Sequence, residues 1–331
     1  MKKLFLTVLL LFLVIVLKNS NVLDKVKNDL GVLNEKIVVN LETSQDVLSE
    51  DSSIANNHEV VSFKADPLYH RYYFLLNDSQ KSLYQEVYQN ALDLKTTFVP
   101  KKDIYTSDIQ QAVEAVYNDH PEIFWLDTQF TYKYRENNKC VELTIKFNDT
   151  VANLEISKNA FQKATNDIIS EASKLKSDYE KEKYVHDTII NNVQYVENAP
   201  MNQSAYSALV LKKSVCAGYA RAFQYIMNEL SIPTYFVVGY AKEDHGWNIV
   251  KLDDGYYNVD LTWDDSSLNC YEYFNKTDAE FNLTHRRIGL SMYLPSCNAY
   301  KYNLANNQIV YYEPSTKDLE EGSFYVLELI D

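Results

Sequence analysis

The chain has 331 residues, 46% hydrophobic and 24% charged, which is enough apolar material for about two domains and too much for a disordered chain. Its net charge of −14 argues against nucleic acid or an anionic lipid surface as the main partner, because both attract basic faces. Four of the seven glycines (Gly218, Gly239, Gly246, Gly255) lie between residues 216 and 255 beside Trp247 and Trp263, so demanding backbone geometry is expected there.

The first residues read MKKLFLTVLLLFLVIVLKNS. Two lysines precede an apolar run from Leu4 to Leu17, and Lys18 closes it, the layout of an export signal. As a helix the run covers roughly 21 Å, short of the ~30 Å hydrocarbon core, although flanking lysines can snorkel. No small-x-small cleavage site follows. Residues 1–18 are therefore read as a signal-anchor in preference to a cleaved signal peptide. That gives a membrane contact through the N-terminal segment and an extracytoplasmic remainder. Residues 19–62, rich in Asn, Ser, Asp and Glu, read as a polar stalk.

An accessory α+β domain is expected over 63–157. Asp78 or Ser79 caps a helix carrying Leu83, Tyr84, Val87 and Tyr88. A second helix ends before Pro121, and residues 129–147 alternate as a hairpin turning at Glu136–Lys139. This segment holds no catalytic constellation and reads as packing or positioning. Helical patterns resume from 158 to 192, where His186 reads as structural.

The segment SVCAGYARAFQYIMNEL (214–230) places Tyr219, Ala222, Phe223, Ile226, Met227 and Leu230 on one helical face, with Ser214 as N-cap and Pro233 beyond the end. Cys216 falls in the first turn. There the helix dipole favours a thiolate, but a small buried residue suits the position equally. Filler, half of a disulfide and nucleophile all remain open. With four cysteines (140, 216, 270, 297), Cys270–Cys297 is the expected pair if one forms. Neither a CxxC nor zinc-ligand spacing occurs, so no metal and no cofactor is expected. Asp253–Asp254 and Asp264–Asp265 match no EF-hand loop and read as turn residues.

After Cys216 the period changes to that of strands: PTYFVVGY, HGWNIVKL and GYYNVDLTW. His245 and Asp260 are candidates for the base of a cysteine nucleophile and the group that orients it. A tight turn at Asp254–Gly255 pairs Ile249 with Asp260. Asp260 then shares the face of His245 but lies four residues, roughly 13 Å, away. A turn centred near Leu252–Asp253 sets the two opposite each other.

The helix start VCAGYARAFQYIMNEL followed by HGWNIVKLDDGYYNVDLTWDD resembles the transglutaminase-like superfamily, in particular its bacterial extracytoplasmic members. The flanks YVHDTIINNVQY, YEYFNKTDAEFNLTHR and LPSC extend the resemblance over about 166–312. It implies an α+β, papain-like core in the segment 158–331, with the helix bearing Cys216 packed on an antiparallel sheet. It also implies a Cys216–His245–Asp260 triad that forms a thioester on a protein or peptide amide and passes it to an amine or to water. Trp247 and Tyr219 are the candidate substrate-binding aromatics. The backbone N–H of Cys216 is one oxyanion donor, and Gln203 and Tyr206 stand upstream as candidates for the second. A surface binding module that keeps the fold without turnover is the alternative.

Overall fold

The computed structural model describes residues 63–266 and 270–303. The signal-anchor expected at 1–18, the stalk expected at 19–62 and the last 28 residues of the expected C-terminal extension, 304–331, lie outside the described residues. Among the described residues no helix is long and apolar enough to cross a membrane.

The chain begins with helices α1 (Arg71–Leu75) and α2 (Asp78–Leu92), the short strand β1 (Thr97–Phe98) and helix α3 (Thr106–Asp119). Asn77, rather than Asp78 or Ser79, caps α2. Its side chain accepts from the Gln80 N–H while Gln80 returns a bond to the Asn77 N–H, a reciprocal capping box. Strands β2 (Leu126–Tyr134) and β3 (Cys140–Phe147) form the expected hairpin, and β1 adds to β3 in an antiparallel sheet of order β1-β3-β2.

Helices α4 (Leu154–Ala172) and α5 (Asp178–Asn192) lead into a two-stranded parallel ribbon of β4 (Gln194–Tyr195) and β5 (Lys213–Ser214), with a π-helical turn at Ser207–Leu211 between them. Helix α6 (Cys216–Glu229) follows. It packs on an antiparallel sheet of order β8-β7-β6-β9, built from β6 (Thr234–Ala241), β7 (Glu243–Leu252), β8 (Gly255–Val259) and β9 (Arg286–Arg287). Helices α7 (Leu261–Ser266) and α8 (Asp278–Phe281) lie between β8 and β9. Buried Asn248 on β7 ties helix to sheet by donating to the Ala220 carbonyl at 3.0 Å.

Residues 63–157 share their core with the residues that follow. One hydrophobic cluster runs from Tyr72 through Trp125 and Phe223 to Ala299, and the expected boundary at 157/158 falls inside α4. Arg221 gives the physical reason. It is buried on α6, makes no ion pair among the described residues and satisfies carbonyls at the C-terminal end of α3. Its guanidinium donates to the Tyr117 and His120 carbonyls and stacks on the Tyr117 ring at 3.7 Å, while Gln224 takes the Asn118 carbonyl. The last carbonyls of a helix lack intrahelical partners and carry partial negative charge, so a cation there serves hydrogen bonding and dipole together. Tyr72 adds a second tie, donating to the Phe236 carbonyl at 2.6 Å.

Candidate active site

Cys216 is the first residue of α6, so its N–H has no carbonyl one turn back to bond. Ser214 is not the cap. Its hydroxyl donates to the Asn202 carbonyl at 2.5 Å, which pins the loop at 201–204 against the helix start. Gly218 permits this approach, because a Cβ there would collide with Ser214 Oγ and the Asn202 carbonyl.

His245 lies on β7 opposite Gly239 of β6. The turn after β7 centres on Asp253–Asp254, since Leu252 pairs with Gly255 and Ile249 with Asn258. This register is one residue short of the Asp254–Gly255 turn and one beyond the Leu252–Asp253 centre. Continued by one residue it would set Asp260 opposite Trp247, still on the face of His245. The strand instead ends at Val259, and Asp260 turns to cap α7, its Oδ1 accepting from the Thr262 and Trp263 N–H groups at 2.9 and 3.2 Å. That turn brings Oδ2 to 2.6 Å from His245 Nε2. That leaves the other ring nitrogen for Cys216, which lines the same cavity as His245.

Burial alone would lower the His245 pKa. The Asp260 charge and hydrogen bond, followed by the contact with Cys216, outweigh it and raise the value to about 10. Asp260 is fully buried, which favours its neutral acid, yet His245 and a second imidazole, His285, hold it well below the usual carboxylate range. His285 Nε2 lies 3.0 Å from the same Oδ2. The ligand atoms of His245, Asp260 and His285 lie within 4.8 Å of one another, as a metal site requires. Both imidazoles already engage Oδ2 and two N–H groups engage Oδ1, which leaves no lone pair on Asp260 for an ion.

A cavity of about 470 Å³ opens on Cys216 and His245, walled by Phe130, Phe236 and Val238 with Gln203 at its margin. Neither Trp247 nor Tyr219 lines it. Trp247 is buried behind His245, its ring lying over Gly239, where a Cβ would strike it. Tyr219 is buried too, its hydroxyl donating to the Val193 carbonyl and Asp265 at 2.9 Å each. Both belong to the packing that holds the site. Tyr206 packs at a tilt against Phe124 and also stays out of the cavity, whereas the Gln203 carbonyl is fixed by Tyr117 Oη at 2.8 Å and this exposed residue lines the space. His186 is structural, joining Asp187 and Asp264 on either side. Asp264 and Asp265 sit in α7 rather than in a turn, while Asp253 and Asp254 form the β7–β8 turn. All four thiols are free, and buried Cys297 faces Arg287 instead of Cys270.

Residues 165–261, which contain all three of Cys216, His245 and Asp260, match the model of the transglutaminase-like superfamily. This stretch is similar to the transglutaminase-like superfamily. No curated protein matches the chain. Among solved structures, a TGase aligns at 16% identity and a TM-score of 0.29, over 50% of this chain and 50% of that one. A cysteine protease candidate from Cytophaga hutchinsonii aligns at 22% identity and a TM-score of 0.28, over 38% of this chain and 51% of that one. The chain thus spans about half of each, and likenesses this weak say nothing about its reaction. His285 lies outside the stretch matched to the transglutaminase-like model, and no spacing rule links it to Asp260. The only trace in the sequence is its place in the downstream flank NLTHR.

Proposed function

We propose that the protein is a cysteine-dependent acyltransferase acting on protein or peptide amides. The observation that carries this is the Cys216–His245–Asp260 line opening on one cavity, with Asp260 Oδ2 at 2.6 Å from His245. The Cys216 thiolate, paired with the His245 imidazolium, attacks the amide carbonyl carbon. His245 then gives its proton to the leaving nitrogen as the C–N bond breaks, and a thioester remains. An amine or water attacks that thioester, its proton passes to His245, and the thiolate departs. Asp260 orients the imidazole and stabilises its charge throughout. The Cys216 N–H and the Gln203 side chain are the oxyanion donors.

The cavity carries Glu114, Glu197, Glu243 and Asp244 with no Lys or Arg among its described lining residues, which favours a neutral or basic peptide. The apolar run after Lys2 and Lys3 supports an extracytoplasmic, membrane-associated setting with cell-surface substrates.

The test is the pH dependence of iodoacetamide labelling at Cys216, read by peptide mass spectrometry, in wild type and His245→Ala. Fast labelling that persists below pH 6 and is lost in the variant supports the ion pair. Labelling that rises only above pH 8 in both proteins overturns it and leaves a binding module. Ammonia release from a glutamine peptide, with and without added amine, then separates hydrolysis from transamidation.

A further inference from the structure

We infer that His285 is a positioning residue of this site, a fourth member that acts through Asp260. The inference rests on the acyl-transfer reading above. A carboxylate offers about four acceptor positions, and on Asp260 all are filled: Oδ1 by the Thr262 and Trp263 N–H groups, Oδ2 by His245 and His285. The two backbone donors fix the carboxylate at the start of α7. They come from the same turn as Asp260 itself, so they set the carboxylate relative to α7 and do not tie it to another part of the chain. His285 supplies such a tie, at 3.0 Å, and it comes from the segment between α8 and β9.

The His285 ring is itself held in one orientation. Thr284 Oγ1 lies 2.8 Å from Nδ1, and Phe281, Trp263 and Trp247 surround the ring with centroids 4.1, 4.6 and 5.1 Å away. His285 is buried and does not line the cavity, so it touches neither substrate nor sulfur. Its effect is on the carboxylate. A donor on Oδ2 stabilises the ionised form of Asp260 and stops the group rotating away from His245. Without it, Asp260 takes up a proton at higher pH and His245 loses its partner there. The titratable groups facing this pair are His245, Cys216, Asp264, Tyr273 and Tyr195. None of them replaces the lost donor, because His245 and the Asp260 carboxylate already bond each other and the rest make no hydrogen bond to Asp260 among the described residues.

The experiment compares wild type, His285→Phe and His285→Gln by the pH profile of Cys216 labelling, with the melting temperature measured alongside. Phe fits the aromatic surround but donates nothing, whereas Gln can place its Nε2 where the imidazole Nε2 stood. The acid limb of the labelling profile is expected to move up by about one pH unit in the Phe variant, the scale of one charge-assisted hydrogen bond, and to return most of the way in the Gln variant. Wild type with activated labelling and an unmoved limb in both variants overturns the role of His285 while leaving the acyl-transfer reading intact, whatever the melting temperatures do. A wild type without activated labelling overturns both. If the Phe variant does not fold, His285→Met takes its place as the variant without a donor: a limb moved up relative to the Gln variant supports the donor role, and a limb that matches the Gln variant overturns it.

Discussion

Glu182 on α5 is fully buried, and its Oε2 accepts from Asn275 Nδ2 at 2.9 Å. Two atoms of this pair, Glu182 Oε1 and Asn275 Oδ1, have no partner when the carboxyl is written as an anion, since both are then acceptors. A proton on Oε1 resolves both, because the acid donates to Asn275 Oδ1 and the two groups close a ring of hydrogen bonds. Burial accordingly raises the Glu182 pKa from 4.5 to about 8, against smaller lowering effects of the Asn275 bond and of His186. The folded value exceeds the unfolded one, so the folded state holds the proton more tightly. The stability from this group is full below about pH 4.5 and is lost as pH rises to about 8. At about 1.4 kcal/mol per pH unit, the loss between pH 5 and pH 9 is roughly 4 kcal/mol. Glu182→Gln keeps the shape, supplies a permanent N–H for Asn275 Oδ1 and does not titrate. Urea unfolding at pH 5, 7 and 9 should give nearly equal stabilities for the two proteins at pH 5 and a widening advantage for the variant above it. Parallel pH curves, or a variant less stable than wild type at pH 9, would refute the shared-proton arrangement.

Asp260→Asn should lower turnover by roughly 10³–10⁴-fold, since the amide leaves His245 without its counter-charge, and the decisive measurement is kcat at fixed pH with folding checked by circular dichroism. Gln203→Ala should lower kcat by about 10²-fold with no change in melting temperature, because the side chain is exposed and only its carbonyl is tied, to Tyr117. An unchanged kcat would remove Gln203 from the oxyanion hole. Gly218→Ala should destabilise by about 1–3 kcal/mol in urea, because the new methyl meets the Asn202 carbonyl.

Much of the site is written in local sequence. The apolar face of α6 and its stop before Pro233 follow from helical periodicity, and the alternation around HGWNIV marks a strand. Period two also places Asp260 on the face of His245 for either turn considered, because moving the turn centre by one residue shifts the pairing by two. The turn centre itself was not legible. KLDDGY offers two adjacent aspartates and a glycine, and the choice among turns depends on how β8 packs once it leaves the sheet. The strand end at Val259 was equally hidden, since DLTW alternates well enough to continue as β until Asp260 caps α7. Trp263 therefore lies on a helix, and strand parity does not apply to it.

Residue type, order and periodicity thus determine by themselves that this chain carries an amphipathic helix with Cys216 in its first turn, followed by strand patterns whose parity sets His245 and Asp260 on one face. Each of those properties is local, because a helix face or a strand face is set by neighbours within a few residues. Tertiary structure alone decides which polar groups are used up elsewhere. Ser214 serves Asn202 instead of the helix end, Tyr219 serves Val193 and Asp265 instead of a substrate, and Arg221 joins α3 to α6 so that the first 95 described residues share the core. The same holds for His285, 25 positions from Asp260 and hydrogen-bonded to it. A buried donor or acceptor must find a partner wherever the fold provides one, and sequence distance places no limit on where that is.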